Sequence, residues 1–90
     1  MMSDHLARLH QLPCIVCTKQ GMTQTSRTVA HHLEVVRDDN ADYAAVAICE
    51  DHHKLLHAMS RRSFEMQTKL TPIDMLALTI KALDDAGLIT

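Results

Sequence analysis

Apolar residues near the N-terminus recur at every third position, which is typical of one helical face. Ser3 and Asp4 are residue types that begin helices, and Pro13 cannot continue one, so a short helix is expected between them. Its apolar positions are Leu6, Leu9 and Leu12. The polar stretch 18–25, which contains Gly21, predicts a loop after it.

The second half of the chain predicts three helices. The acids at Glu50 and Asp51 favour a helix from residue 50 to about 59. Ser60 is a candidate N-cap for a second helix over 61–69, with Phe64 as its anchor. Thr71, followed by Pro72 and two residues later by Asp74, predicts the start of a third. This helix covers about 72–86 and stops at Gly87, and its expected apolar face carries Ile73, Leu76, Ile80 and Leu83.

Between these helical regions, β-branched residues predict two strands. The first is expected over 28–36 and the second over 43–48, with an acidic loop between them at 37–42. Two strands joined in this way form a hairpin, and an isolated hairpin is only marginally stable in water. The helix that begins at residue 50 is therefore expected to pack on it. The resulting fold class is α+β, a two-stranded antiparallel hairpin with a helix across it and helices at both ends.

The composition limits how this fold can be stabilised. Ninety residues fit a single domain, 1–90, with a core over about 12–70 and the C-terminal helix beyond it. One Tyr, one Phe and no Trp leave a thin core, so the three Cys and seven His become candidates for a stabilising metal site. An odd number of Cys argues against a disulfide framework. No apolar run approaches a membrane span, and a reducing cytoplasm is expected.

Two short Cys motifs of equal spacing form the strongest local pattern. Cys14 and Cys17 are separated by two residues, as are Cys49 and His52. Zinc takes four tetrahedral sulfur or nitrogen ligands, and each motif can supply two from one turn. A lone pair of this kind is equally typical of small buried hydrophobic residues. Two such pairs in a domain that needs stabilisation predict a structural zinc site.

Four further His form a second candidate site. His53 and His57 lie four residues apart, and so on the same face of a helix. His31 and His32 lie on the first predicted strand, where neighbours point to opposite faces, so a regular strand would show only one of them to a shared ion. The ordinary alternative for any single His is a surface position. Two matched pairs indicate a second metal site.

The order of these motifs resembles the HNH endonucleases, whose site is a hairpin packed on one helix with a metal between them. The stretches 12–17, 30–33 and 47–53 carry the resemblance, and 61–65 and 73–78 make the chain similar to the phage recombination-enhancement nucleases. The resemblance implies a metal-dependent DNA endonuclease of phage or prophage origin. It covers residues from about 12 to 83.

The resemblance also implies roles for particular residues. His32 becomes the general base, and His31, His53 and His57 become ligands of one catalytic divalent metal. The ion is left open among Mg, Mn, Ni and Zn, although imidazole nitrogen suits the last three better than Mg. Asn40 and Asp42 are alternatives for orienting the base. The four residues implied as structural zinc ligands are Cys14, Cys17, Cys49 and His52.

Charge changes the expected mode of DNA binding. The net charge is −2, but residues 51–70 carry four bases against two acids. The expected phosphate contacts are Lys54, Arg61, Arg62 and Lys69. With so few bases, and an acidic loop unlike a phosphate-binding surface, binding is expected to be weak and salt-sensitive. The expected partners are DNA and a host recombination protein in the bacterial cytoplasm, with no membrane, and the chain a monomer or weak dimer.

Two other functions are consistent with the same residues. A zinc-stabilised DNA-binding or protein-binding regulatory module would keep Cys14, Cys17, Cys49 and His52 but have an inactive nuclease site. A structural interaction protein would use the helix over 72–86 as a dimer face, although a small domain needs most of that apolar stripe for its core. A second metal and cleavage of DNA distinguish the enzyme from both.

Overall fold

A two-stranded antiparallel sheet lies at the centre of the structure, a computed structural model that describes residues 4–34, 36 and 38–89. Helices pack on the sheet, so the fold is a small α+β arrangement, as predicted. In chain order the elements are helix α1 (Asp4–Leu9), helix α2 (Ile15–Gln20), strand β1 (Thr28–His32), a 3₁₀ helix (Ala41–Ala44), strand β2 (Ala45–Cys49), helix α3 (Glu50–Ala58), helix α4 (Arg61–Thr68) and helix α5 (Pro72–Asp85).

Strand β2 is buried along its whole length and separates two apolar clusters. Successive side chains of a strand point to opposite faces. Val46 and Ile48 belong to the larger cluster, which includes the three Cys, Phe64 and residues of α2 and α5. Ala45 and Ala47 belong to the smaller one, which joins them to Leu9, Leu12 and Leu83. The strand pairs with β1 so that Thr28 lies opposite Cys49 and His31 opposite Val46.

Side-chain caps begin the last two helices where the sequence predicts them. The hydroxyl of Ser60 accepts a hydrogen bond from the Ser63 N–H at 3.1 Å. Thr71 and Asp74 form a reciprocal capping box, in which each side chain accepts from the other residue's N–H. Helix α5 ends at Asp85, and Gly87 adopts a φ of 69° just beyond it. Both helix starts are confirmed.

The strands differ from the predicted ranges. Strand β1 ends at His32 instead of residue 36, because Glu34 adopts a φ of 61° and takes the backbone out of the extended conformation. Strand β2 begins at Ala45, and the residues before it, including Tyr43, form the 3₁₀ helix instead of a strand. The predicted ranges 28–36 and 43–48 are therefore wrong at these ends.

The segment after Pro13 contains a helix that the sequence prediction missed. Residues 18–20, predicted as loop, belong to α2, which follows Cys14 and ends before Gly21 with its φ of 68°. Helix α1 ends at Leu9 and not at Pro13, and a tighter turn continues it, in which the Leu12 N–H donates to the Leu9 carbonyl at 3.1 Å. Helix ends commonly tighten in this way.

The buried face of α5 agrees with the predicted one at Leu76 and Leu83 but differs from it at Ile73 and Ile80. Ile73 is 78% exposed and Ile80 is 49% exposed, whereas Met75, Thr79 and Leu83 are buried. These three lie four residues apart, on one face of the helix. The Thr79 hydroxyl accepts from the Ala47 N–H of β2 at 3.3 Å and donates to the Met75 carbonyl, which satisfies it inside the core. Hydrophobicity alone could not identify this buried Thr.

Some predictions fall on residues outside those described: the N-cap Ser3, Val35 of the first predicted strand and Arg37 of the loop. Within the described part of the chain, no helix is long and apolar enough to cross a lipid bilayer.

Candidate functional site

Cys14, Cys17, Cys49 and His52 come together in one cluster, called here the cysteine cluster. The three thiols are buried and none is in a disulfide. The Nδ1 atom of His52 lies 3.6, 3.5 and 3.2 Å from the sulfurs of Cys14, Cys17 and Cys49, and the Cys17 and Cys49 sulfurs lie 3.9 Å apart. Ligands of a tetrahedral zinc are separated by about 3.8 Å between sulfurs and about 3.6 Å from sulfur to nitrogen. The cluster could therefore hold a metal ion of this kind.

Both halves of the cysteine cluster are built at helix starts. Cys14 is the N-cap of α2, and its sulfur accepts from the Cys17 N–H at 3.4 Å. Cys49 is the N-cap of α3, and its sulfur accepts from the His52 N–H at 3.5 Å. The two-residue spacing of each motif is therefore the spacing between an N-cap and the third residue of a helix. This spacing was the available signal for the missed helix α2.

Two thiols of the cysteine cluster differ in how readily they ionise. Burial raises the pKa of the Cys17 thiol to about 12, and hydrogen bonds with Cys14 and Cys49 add to the effect. Burial also opposes ionisation of Cys49, but hydrogen bonds from the His52 N–H and from Ser26, Cys14 and Cys17 outweigh it and lower its pKa. Ionisation is thus favoured at Cys49 and opposed at Cys17. A bound cation would favour ionisation of Cys17 as well.

A polar side chain that the sequence prediction did not identify supports this cluster. The Oε1 atom of Gln24 accepts from the Cys14 N–H at 2.7 Å, and its Nε2 atom donates to the Thr28 hydroxyl at 2.9 Å. The Thr28 hydroxyl in turn donates to the Leu12 carbonyl at 2.6 Å. These bonds tie the loop before β1 to the start of α2. No sequence motif marks Gln24, because its partners are brought to it only by the fold.

His31, His53 and His57 form a second group, called here the histidine cluster. Their ring centroids are 4.6 to 5.4 Å apart, and the Nε2 atoms of His53 and His57 are separated by 3.0 Å. One ligand nitrogen from each ring lies within 4.8 Å of the others. Nitrogens that share an ion at about 2.1 Å are roughly 3–3.5 Å apart. The pair on α3 is close to this spacing, and His31 brings a third nitrogen within 4.8 Å of both.

Two imidazoles of the histidine cluster, those of His31 and His53, favour their neutral form. Burial lowers the pKa of His31 to about 4, and the neighbouring His53, His57 and His32 contribute in the same direction. Burial, followed by the proximity of His57, also lowers the pKa of His53. A neutral imidazole has the lone pair that a metal ligand needs.

His32 is not one of the three grouped imidazoles and contacts a carboxylate instead. Its Nε2 atom lies 2.8 Å from Oδ1 of Asp42 in the 3₁₀ helix. The two side chains are 43% and 38% exposed. The backbone N–H of Asn40 donates to Asp38 at 2.8 Å, and the Asn40 side chain makes no capping bond to the 3₁₀ helix. Of the two residues predicted to orient His32, Asp42 is the one in contact with it.

A cleft of about 240 Å³ opens beside the histidine cluster, called here the histidine cleft. His31, His32 and His57 line it, so both strand His face one opening although neighbouring strand residues point apart. The other described residues that line it are apolar or charged: Leu33, Glu34, Leu56, Arg61, Phe64, Glu65, Pro72 and Met75. Sequence analysis did not identify Glu34 or Glu65 as part of a site.

Of the four predicted phosphate contacts, Arg61 is among the residues that line this cleft. Arg61 forms an ion pair with Glu65, with Nε and Oε1 3.7 Å apart. Lys69 follows α4 and lines a different cavity together with Lys19. Lys54 and Arg62 are exposed on α3 and α4.

Comparisons of the chain with protein-family models, curated proteins and solved structures find no match. The two clusters and the histidine cleft are therefore what indicates a function.

Proposed function

We propose that this protein is a metal-dependent DNA endonuclease of the HNH type. One observation carries the proposal: three imidazoles converge within 4.8 Å of one another beside an open cleft, and the residue next to one of them, His32, contacts a carboxylate in the same region. Three His ligands leave coordination positions for a phosphate, as catalytic metal sites require. The buried cysteine cluster nearby suits a structural zinc.

Asp42 gives His32 a defined role in this proposal. An ionised carboxylate only accepts hydrogen bonds. The Nε2 atom of His32 therefore carries a hydrogen and donates a hydrogen bond to Asp42. The Nδ1 atom of the neutral ring then has the lone pair that can accept a proton from water. Asp42 also stabilises the imidazolium that results, as the carboxylate does in serine hydrolases.

The reaction is hydrolysis of a phosphodiester bond. His32 takes a proton from a water molecule, and the oxygen of that water forms a bond to phosphorus. The bond from phosphorus to the 3′-oxygen breaks, the leaving oxygen takes a proton from solvent water to become a 3′-hydroxyl, and a 5′-phosphate results. The His32 imidazolium then returns its proton to solvent. A divalent cation held by His31, His53 and His57 would neutralise the charge that develops on the phosphate and the leaving oxygen.

The cysteine cluster supports this site through helix α3. Cys49 and His52 hold the start of α3, and His53 and His57 project from the same helix. Successive residues of a helix are turned by about 100° around its axis. His52 and His53 can therefore belong to different clusters. A metal at the cysteine cluster would fix the direction in which His53 and His57 project from α3. The resemblance adds a bacterial cytoplasm and a recombination protein as partner to the proposal.

A plasmid-nicking assay tests the proposed function. We expect the purified protein to nick supercoiled DNA with at least one of Mg, Mn, Ni and Zn. The substitution His32→Ala should lower the rate by about 10²–10⁴-fold without changing the zinc content or the melting temperature. His10→Ala is the matched control, because His10 follows α1 and does not line the histidine cleft, and it should cut like the wild type. Equal rates for His32→Ala and wild type would refute the role of His32.

The acidic residues around the cleft favour a second candidate, an inactive binding or regulatory module. Glu34 and Glu65 line the histidine cleft, and Asp42 is close to it through His32. Carboxylates repel phosphate, which a nuclease must bind. This candidate predicts one zinc per chain and no nicking with any of the four metals, so the same assay distinguishes it from the enzyme.

A further inference from the structure

The histidine cleft has a lining that differs from a phosphate-binding surface. Five of its residues are apolar and form walls without hydrogen-bonding side chains: Leu33, Leu56, Phe64, Pro72 and Met75. Drug-sized ligand pockets measure roughly 300–1,000 Å³, so a cleft of about 240 Å³ suits a smaller group. A flat, largely apolar ring would fit these walls better than a charged phosphate would.

The charged residues of the cleft add hydrogen-bond acceptors to these walls. Glu34 and Glu65 bring two carboxylates, and Arg61 is paired with Glu65. Carboxylates accept hydrogen bonds from the exocyclic amino groups of nucleobases, as in recognition of cytosine N4, whereas they repel phosphate oxygens. The combination of apolar walls and acceptors is complementary to a nucleobase.

We propose that the histidine cleft holds one unpaired nucleobase of the strand to be cut, and that the protein prefers DNA with an unpaired, amino-bearing base at the cut site. This rests on the proposed function, because it takes DNA as the ligand. His31, His32 and His57 line the same cleft. A nucleobase seated in it therefore lies beside the metal-binding imidazoles and beside His32, the proposed general base. A paired base cannot enter without leaving the stack, which costs a few kcal/mol. Unpaired nucleotides avoid that cost.

Equilibrium binding measured by fluorescence anisotropy tests this preference without cleavage. The probes are three 20-base-pair duplexes that differ only in a central one-nucleotide bulge: cytosine, thymine or an abasic site. The protein carries its zinc, and no other divalent cation is added. We expect the cytosine bulge to bind about tenfold more tightly than the abasic bulge, with thymine between them, because thymine lacks the amino group.

Removal of the two carboxylates should weaken the preference for the cytosine bulge. Glu65→Met and Glu34→Met keep the side chains at similar length but remove the carboxylates. The ratio of the abasic to the cytosine dissociation constant is expected to fall to about 2 in each. Glu50→Met is the matched control, because Glu50 is also paired with an Arg (Arg27, 3.1 Å) but does not line the cleft. It should keep the wild-type ratio. Because the probes differ only in the central nucleotide, a general change in phosphate binding alters both dissociation constants equally and leaves their ratio unchanged.

The outcomes separate this inference from the proposed function. Equal affinity of the wild type for the cytosine and abasic bulges overturns the inference, and so does a wild-type ratio in both Glu65→Met and Glu34→Met. If the wild type nicks plasmid but shows no such preference, the proposed function stands and the inference fails. If it prefers the unpaired cytosine but nicks DNA with none of the four metals, the proposed function fails and the cleft is the ligand site of a non-catalytic module.

Discussion

The cysteine cluster and the histidine cluster share one helix but differ in access to solvent. The cysteine cluster has four candidate ligands, three of them buried, at the starts of α2 and α3. The histidine cluster has three, half-buried or exposed, and it borders an open cleft. Structural metal sites have a closed set of protein ligands, whereas catalytic sites keep a position open for substrate. The contrast supports different roles for two sites that lie one residue apart at His52 and His53.

The surroundings of the two clusters follow the same contrast. Hydrogen bonds from Gln24 and Thr28 connect the cysteine cluster to the chain around it. In the histidine cluster the three rings contact one another. A site embedded in the core transmits the loss of its metal to the fold, whereas a site at the surface can lose its metal while the fold stays intact. Three changes test this difference.

The largest effect is expected from Cys17→Ser. Structural zinc in small domains contributes on the order of 10 kcal/mol to folding, which exceeds the stability of most domains of this size. The variant should therefore be unfolded or strongly destabilised, with less than one zinc per chain. Circular dichroism melting and elemental analysis measure both quantities. Lys19→Ala, an exposed position in the same helix, is the control and should melt like the wild type. A folded Cys17→Ser variant without zinc would contradict a structural role.

His57→Ala should have a smaller effect, and one confined to the histidine cluster. Loss of one imidazole is expected to weaken binding of the second metal by about 100-fold, while the melting temperature and the zinc of the cysteine cluster stay near their wild-type values. Activity should partly return at high metal concentration. Isothermal titration with Mn or Ni measures the affinity. Unfolding of this variant would show that the fold depends on the histidine cluster as it does on the cysteine cluster.

Asp42→Asn should have the smallest effect, on the rate alone. An amide cannot stabilise the His32 imidazolium as a carboxylate does, and a buried Asp in this role contributes as much as 10⁴-fold. Because Asp42 and His32 are both partly exposed, water shares that role, and we expect about a tenfold loss of kcat with little change in KM. Asp39→Asn, an exposed position in the same segment, is the control. Plasmid-nicking kinetics at saturating metal would distinguish the two variants, and identical rates would exclude Asp42 as a partner of the base.

Features that depend on neighbours in the chain could be predicted from the sequence. The capping box of Thr71 and Asp74 involves residues three apart, and so does each Cys motif, so their geometry follows from the start of a helix. The spacing of His53 and His57 likewise places them on one helical face. Each half of the cysteine cluster could be predicted for this reason. Helix α2 was missed although its N-cap carries the same signal, because Cys14 and Cys17 were interpreted only as metal ligands.

Features that depend on contacts between distant segments were decided by the tertiary structure. Asn40 and Asp42 are equally plausible partners of His32 in the sequence, and only the path of the 3₁₀ helix brings Asp42 to 2.8 Å. Thr79 is buried and Ile80 exposed because α5 packs on β2 through the Thr79 side, where the Thr79 hydroxyl accepts from the Ala47 N–H. Glu34 and Glu65 reach one cleft from a loop and from α4. Local hydrogen bonds and helical spacing act over three or four residues, whereas the cleft is formed by segments that packing alone brings together.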